Sequence, residues 1–326
     1  MPAKVYVTTC FNLFILIYPG KADIIRFLQL IAMTAVTATR LTDWTLLRYT
    51  GADASTFLHG QLTCDVQALK PGASSYGGYC TPKGRLLATF LLWADADGFM
   101  MLLPAALAEA IRKRLSMYVL RSKVKIEDVT AQQACIGVSG SESARDIAAL
   151  GGTLPERQHG VTFNGAVRVV YLPQRRYLAV VPQAPAQIPD DSGAWAAADI
   201  AAGIPFIVPA TQEEFVPQMV NLDLIGGLSY SKGCYPGQEI VARTHYLGRL
   251  KQRMFRASTD AAAQAGDKLY SSGLGDQSCG MIVAATPSGN GSEVLAVLRL
   301  GEEEAVHLHS LQGAVLQITN LPYKVT

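Results

Sequence analysis

Lys232-Gly233-Cys234-Tyr235-Pro236-Gly237-Gln238-Glu239 is the most informative segment of this chain. Glycine tolerates positive φ angles and proline fixes φ at about −65°, so this spacing predicts a tight loop with one thiol at its tip. A helix is predicted over residues 238–246, because Glu239 then occupies the first turn, where the helix dipole favours an acid. Gly248 stands where a C-terminal cap belongs.

The thiol of Cys234 lies between two cations along the chain, Lys232 before it and Arg243 after it. Nearby cations favour the thiolate, which is the nucleophilic and metal-binding form of cysteine. The alternative is a small buried core residue, which is the usual state of a free cysteine. A core cysteine needs neither these turn formers nor these polar neighbours, so we predict a functional thiol. Metal ligation, a transient disulfide and attack on an electrophile all remain open as its chemistry.

The same segment resembles the hallmark motif of the YgfZ family, Lys-Gly-Cys-Tyr-x-Gly-Gln-Glu, with all seven defined positions present. These positions, with the nearby Arg243, form the candidate motif of the site: Lys232, Gly233, Cys234, Tyr235, Gly237, Gln238 and Glu239. Further landmarks of the family are matched by residues 44–65, which contain Phe57-Leu58-His59-Gly60-Gln61-Leu62-Thr63-Cys64-Asp65, and by residues 81–85, 121–124 and 215–222. The resemblance therefore covers most of the chain.

The resemblance implies a fold, a cofactor and a cellular role. YgfZ proteins bind folate, are related to the T-protein (aminomethyltransferase) of the glycine cleavage system, and are implicated in iron–sulfur cluster assembly or repair and in tRNA modification. The implied fold is α+β, a T-protein-like folate-binding region of two subdomains at residues 33–255 and an antiparallel β-barrel at residues 256–326. The implied partners are tetrahydrofolate or another folate derivative and iron–sulfur client or assembly proteins, in the cytoplasm.

Trp44 and Trp195 are the candidate folate-binding residues. An indole is large, flat and carries one N–H donor, which suits stacking on a heterocycle such as a pterin. In the family, tryptophans at these two places contact folate. The alternative for each is ordinary core packing.

Two carboxylates that T-proteins use are missing from the matching stretches of this chain. Residues 86–90 are Leu-Leu-Ala-Thr-Phe, where T-proteins carry an acidic pair needed for aminomethyl transfer. Ala201 stands where T-proteins hold the pterin with a glutamate. The side chain of alanine offers neither acid–base chemistry nor a hydrogen bond, which disfavours aminomethyl transfer. A non-enzymatic accessory role is therefore favoured, and a tetrahydrofolate-dependent one-carbon (aminomethyl or methyl) transferase is the alternative.

Composition bounds the function further. The chain has 326 residues, 49% hydrophobic and 17% charged, with a net charge of +2. This predicts a large core and argues against a general nucleic-acid-binding surface. Its six cysteines form no CxxC pair, which favours reduced thiols in the cytosol and predicts no resident metal or iron–sulfur site.

Residues 1–32 carry no landmark of the family, and we interpret them as an extension from an upstream start codon. Residues 11–18 are mostly apolar, but a bilayer span takes about 20 apolar residues. No Ala-x-Ala cleavage site follows them, which argues against a signal peptide.

Residues 231–256 are rich in cations. They hold six of the chain's 28 Lys and Arg residues and one acid, Glu239. Arg249, Lys251 and Arg253 alternate, so on a strand they share one face. Such a face could meet a folate polyglutamate tail or RNA phosphates; the alternatives are a charged strand that guards a sheet edge and a helical pair of Glu239 with Arg243.

Periodicity predicts the remaining elements. Strands are predicted at residues 44–50, 86–93, 99–103, 167–172, 177–181, 268–270, 281–284, 294–300, 306–309 and 315–318, helices at 53–58 and 105–118, and a loop at 182–193.

Overall fold

The structure is a computed structural model that describes residues 38–246, 248 and 250–325. The predicted extension, Cys10 and Arg249 lie outside the described residues. Within them, the strands are β1 (Ala38–Arg40), β2 (Trp44–Thr50), β3 (Ser74–Cys80), β4 (Leu86–Asp95), β5 (Gly98–Pro104), β6 (Lys125–Asp128), β7 (Ala134–Val138), β8 (Val161–Asn164), β9 (Val167–Leu172), β10 (Arg176–Val181), β11 (Gln252–Thr259), β12 (Lys268–Tyr270), β13 (Ser278–Ser288), β14 (Gly291–Arg299), β15 (His307–Leu308) and β16 (Gln317–Thr319). The α-helices are α1 (Ala54–His59), α2 (Ala105–Val119), α3 (Ser143–Ala149), α4 (Ser192–Ala202) and α5 (Gln238–Tyr246).

These strands form three antiparallel sheets. The first sheet has the order β3-β4-β5-β2-β6, the second β1-β7-β10-β9-β8, and the third β15-β12-β13-β14-β11-β16. The third sheet is curled into a half-barrel, and the fold class is mixed α+β as predicted. Every strand and helix predicted from periodicity is found, with ends that shift by a few residues.

One large core joins the three sheets. The apolar run of β4 is buried along its whole length, and α2 packs on the first sheet through Leu107, Ile111 and Leu115 at helical spacing. The same cluster includes Trp195 of α4 and reaches Val283 of the third sheet. Side chains of the second sheet point alternately to its two faces. One face contributes to this core, and the other packs on α3 in a separate hydrophobic cluster. The main core therefore contains residues of all three sheets.

The predicted basic face on a strand is wrong for Arg253. This side chain is buried in β11, where its guanidinium donates to the carbonyl of Gln218 at 2.8 Å and to both carboxylate oxygens of Asp223 at 2.7 and 3.1 Å. Lys251 precedes the strand and is exposed. Arg256 pairs with Glu293 at 3.1 Å. Arg253 and Arg256 are therefore each paired with an acid of the protein, because charges removed from water require compensation.

Two glycines fasten the loop before α5 to the turn between β3 and β4. Gly237 has φ +82°, and a Cβ there would lie 2.5 Å from the carbonyl oxygen of Thr81 and 2.6 Å from Gly84. Gly84 has φ +73° and lies against Gly237 and Ile240 in return. Only glycine permits this approach of backbone to backbone, so the motif glycine positions the loop.

We expect Gly237→Ala to destabilise the protein more than Gly226→Ala. Both glycines have positive φ, but a Cβ on Gly226 meets nothing within 4 Å, so that variant reports the backbone strain alone. Strain costs about 1–2 kcal/mol at either position, and the clash adds about 1–3 kcal/mol at Gly237 only. Urea denaturation of both variants measures the difference, and equal losses would contradict the close packing.

Candidate functional site

Cys234 is the exposed thiol of the described chain. Cys64, Cys80, Cys135 and Cys279 are buried, whereas Cys234 is exposed in the loop before α5. The alternative interpretation of Cys234 as a core residue is therefore wrong. Burial raises the pKa of Cys64, Cys80 and Cys135 to about 12 and also raises that of Cys279.

Lys232 fixes the position of this loop. Its side chain is buried, and its ammonium group donates to the carbonyl of Leu62 at 2.6 Å and to the carbonyl of His59. It also lies 4.8 Å from the ring centroid of Tyr235, a cation–π contact. The lysine and the tyrosine of the motif thus hold the loop from its buried side, and Cys234, one of the two residues between them, is exposed.

The helical part of the motif is more loosely held. The amide of Gln238 donates to the carbonyl of Lys232 at 3.5 Å. Glu239 and Arg243 are exposed on α5 and form no ion pair with each other, so the predicted alternative pairing is wrong. The backbone N–H of Gly248 donates to the carbonyl of Arg243 at 2.9 Å, so Gly248 caps the C-terminal end of the helix as predicted.

A histidine and an aspartate that the sequence analysis passed over lie beside the loop. His59 Nδ1 is 3.3 Å from an oxygen of Asp65, and its Nε2 is 3.6 Å from where a Cβ on Gly233 would stand. Burial and then the charge of Lys232 lower the pKa of His59, and the nearby Asp65 opposes this shift. Both residues belong to the landmark Phe57-Leu58-His59-Gly60-Gln61-Leu62-Thr63-Cys64-Asp65, which was the available signal.

Trp44 and Trp195, the two tryptophans that the family resemblance indicated, line one cavity. The cavity has a volume of 270 Å³. Its walls come from the start of β2, the end of β5, the helix α4, residues 204–208, residues 263–265 and residues 283–285. The loop with Phe206 is anchored by Thr89, whose hydroxyl donates to Pro205 at 2.8 Å and accepts from Ile207 at 2.8 Å.

Packing fixes both indoles at the cavity wall. Trp195 is 4% exposed; its ring lies against Gly137, where a Cβ would be 2.3 Å away, and 5.0 Å from the guanidinium carbon of Arg176. Trp44 is 8% exposed and contacts Phe206 edge to face at 4.4 Å. Core packing and cavity lining therefore coexist in both residues. Each presents a small part of its ring to the cavity.

The cavity contains carboxylates that the sequence analysis missed. Asp199 of α4 is buried and pairs with Arg176 at 2.5 Å, and Asp43 lies exposed at the same cavity. Burial raises the pKa of Asp199, and the charge of Arg176 opposes the rise. Asp199 follows Trp195 by one helical turn, so both project from one face. The sequence signal for Asp199 was a single acid, one helical turn after Trp195, in an alanine-rich helix.

The site residues therefore form two groups. The cysteine motif, with His59 and Asp65, makes up the thiol site, and none of these residues lines the cavity. Trp44, Trp195 and Asp199 belong to the cavity. No helix over the described residues is both long enough and apolar enough to cross a membrane.

Comparisons with known proteins agree on the family and the fold of this chain. The family described as the GCVT N-terminal domain matches residues 32–168. The tRNA-modifying protein YgfZ of Escherichia coli O127:H6 is 30% identical over 311 residues, which cover 90% of this chain and 95% of that protein. The YgfZ protein of Shigella boydii serotype 4 is similar to the same extent. The aminomethyltransferase T of the glycine cleavage system from Bartonella henselae has a TM-score of 0.72 at 15% identity, over 89% of this chain and 87% of its own, which shows a shared fold.

We expect Cys234 to react first among the described thiols. It is exposed, whereas the others are buried with raised pKa values and so contain little thiolate at neutral pH. Competitive alkylation of the folded protein with iodoacetamide, followed by peptide mass spectrometry, measures the order. Faster labelling of Cys64 or Cys279 would contradict the assignment.

The titration of Lys232 should make stability depend on pH. Burial lowers its pKa to about 8, whereas the lysine of an unfolded chain titrates at about 10.4. Between these values the unfolded chain holds a proton that the folded chain has released, so the free energy of unfolding rises with pH. This contribution is complete above the unfolded value and is lost as pH falls through about 8.

Urea denaturation of wild type and Lys232→Met at several pH values tests this titration. The difference in free energy of unfolding between the two proteins should grow from about pH 7 to about pH 10. Lys251→Met, which removes an exposed lysine, should show no such growth. A constant difference for Lys232→Met would rule the titration out.

Proposed function

The chain belongs to the YgfZ family, and from this premise we propose that it is a folate-binding accessory protein that supports the assembly or repair of iron–sulfur clusters. Its effect on tRNA modification is then indirect, because the tRNA methylthiotransferases are themselves cluster enzymes. Its partners are tetrahydrofolate and iron–sulfur client or assembly proteins, without direct nucleic-acid binding. The free thiols of the described cysteines suit the reducing cytoplasm.

The exposed Cys234 is the observation that carries this proposal. A buried ammonium, two carbonyls and a tyrosine ring hold the loop so that this thiol faces outward. Contacts that fix the position of a loop in this way are expected where its thiol must meet another molecule. An exposed thiol suits contact with a protein partner, since a partner cannot reach the buried cysteines.

The cavity fits the reduced pterin ring of folate. Its 270 Å³ lies close to the lower end of the range for small-molecule pockets, about 300–1,000 Å³. Aromatic and aliphatic walls surround two carboxylates, a combination that suits a flat ring with N–H donors. Trp44 and Trp195 would contact the ring. The size accommodates the ring and leaves the glutamate tail outside.

A tetrahydrofolate-dependent one-carbon transferase is the second candidate. The presence of Asp43 at the cavity favours it, because an exposed carboxylate there offers the acid–base group that residues 86–90 lack. Transfer of an aminomethyl or methyl group from an amine substrate to tetrahydrofolate is the discriminating assay. Turnover would support the transferase, and its absence supports the accessory role.

We expect Cys234→Ser to abolish function in cells while the protein stays folded. A bacterial strain without its own YgfZ protein would receive wild type, Cys234→Ser or the matched Cys279→Ser, and methylthiolated tRNA nucleosides would be quantified by mass spectrometry. Wild type and Cys279→Ser should restore modification and Cys234→Ser should not. Melting temperatures of the purified variants control for folding, because a loop thiol contributes little packing.

Two outcomes would count against the proposal, and they are separable. Full rescue by Cys234→Ser would remove the thiol from the function. If wild type restores tRNA modification but tetrahydrofolate does not change its tryptophan fluorescence, then folate binding is not part of the function.

A further inference from the structure

The end of α2 carries an exposed patch that belongs neither to the cavity nor to the thiol site. Of the eight large apolar side chains that the described residues expose, three lie within four positions: Met117, Tyr118 and Leu120. Arg121 and Lys123 follow them and are exposed as well. These five residues form what we call the α2 patch. Exposed apolar side chains that gather in this way mark interaction sites, whereas single ones are ordinary.

Leu120 has a backbone conformation that suits glycine. It follows α2 with φ 45° and ψ −105°, and its side chain is 86% exposed. Helices often end with a glycine at such a place, because a side chain strains a positive φ. Glycine would relieve this strain and remove an apolar side chain from water. Stability alone therefore favours glycine at this position, which indicates a contact outside the chain as the reason for the leucine.

The turn after Leu120 is fixed to the start of α1. The backbone N–H of Lys123 donates to the carboxylate of Asp53 at 2.7 Å, and the N–H of Asp53 donates to the carbonyl of Lys123 at 3.3 Å. A Cβ on Gly51 would lie 2.1 Å from the same carbonyl oxygen. These contacts hold the turn in one conformation, which lowers the entropic cost of binding.

The charge around Leu120 is positive and uncompensated. A shallow groove beside this residue is lined by Asp53, Tyr118, Val119, Leu120, Arg121 and Ser122. Asp53 is the one acid of this lining, and its carboxylate already accepts from Lys123. Arg121 and Lys123 form no ion pair with any residue that the structure describes. An acidic surface would complement these two cations.

The helix α1 connects the α2 patch to the thiol site. Asp53 precedes this helix at the groove, and His59 ends it beside Gly233 of the cysteine loop. The six residues of α1 span about 9 Å. A standard interface buries about 800 Å² on each partner, which corresponds to an area roughly 30 Å across. A partner that binds the α2 patch is therefore within reach of Cys234.

We propose that the α2 patch is the docking surface for a protein partner that presents an acidic rim around an apolar pocket. Leu120 and its apolar neighbours enter the pocket, and the two cations face the rim. This inference rests on the proposed function, in which Cys234 meets a protein partner, and it names the surface that holds this partner. Tyrosine, methionine and arginine are residue types that protein interfaces favour. A single projecting leucine suits a pocket better than a bilayer, which requires a larger apolar face.

The experiment measures how much protein a cell needs for tRNA methylthiolation. A strain without its own YgfZ protein receives each variant at graded expression, and modified nucleosides are quantified against the amount of the variant. Leu120→Gly should require about tenfold more protein than wild type, because truncation of an interface anchor weakens binding by about this factor. High expression should restore full modification, since mass action offsets a weaker affinity. Arg121→Glu should behave in the same way, and Arg121→Lys should stay close to wild type.

Leu300→Ala and Arg145→Glu are the matched controls. Leu300 is exposed after β14, and Arg145 is exposed on α3. Both variants should need no more protein than wild type. Leu120→Gly should melt at or above the temperature of wild type, because it relieves backbone strain. Its Cys234 should react with iodoacetamide at the wild-type rate, because the thiol site is unchanged.

The outcomes separate this inference from the proposed function. Failure of wild type to restore modification contradicts the proposed function and this inference with it. Wild-type behaviour of Leu120→Gly and Arg121→Glu at low expression contradicts the docking surface alone. A lower melting temperature of Leu120→Gly, or a loss that high expression does not restore, contradicts it as well. If wild type sediments with vesicles of phosphatidylglycerol and phosphatidylcholine and Leu120→Gly does not, the patch binds a membrane and the protein partner is ruled out.

Discussion

The ammonium group of Lys232 is the interaction on which the thiol site depends. Burying an unpaired ammonium is costly, so it persists only where acceptors surround it. Here the carbonyls of His59 and Leu62 accept from it, at the C-terminal end of α1 where the helix dipole is negative. These contacts join residues 173 and 170 positions apart, so a single side chain ties the end of α1 and the segment after it to the cysteine loop. Cys234 owes its exposure to this tie.

The first sheet supports both sites. Trp44 begins β2 at the cavity, while the turn between β3 and β4 receives Gly237 of the cysteine loop. Thr89 of β4 anchors the segment that carries Phe206 into the cavity wall. The two sites share no residue, but one rigid scaffold sets the position of each. This arrangement suits a protein in which a bound cofactor and a reactive thiol serve one task.

The sequence predicted much of the scaffold, because local pattern determined it. The apolar run of β4 and the spacing of Leu107, Ile111 and Leu115 in α2 were sufficient. The strand β3 was missed because Gly77 and Gly78 suggest a turn. In the structure they make room for Phe90 and Leu86, which lie 2.6 Å from a Cβ built on each.

The chemistry of the sites was predicted less completely, because it depends on contacts distant in sequence. The motif indicated Cys234 and the resemblance indicated Trp44 and Trp195, but nothing local joins His59 to Gly233. Asp199 was overlooked because its partner, Arg176, lies 23 residues away in another element. Arg253 was misjudged for the same reason: alternation of charge predicts an open face, whereas Asp223, 30 residues earlier, draws it inward.

The composition of the cavity wall has a consequence for biosynthesis. Its residues span the chain from Asp43 to Ala285, and the last of them belong to the third sheet, which a ribosome delivers late. A nascent chain that still lacks this sheet possesses both indoles but no closed cavity around them. A ligand that binds only the finished cavity stabilises complete molecules by mass action and leaves truncated ones unprotected. A ligand of this cavity would then act as a check on completed synthesis.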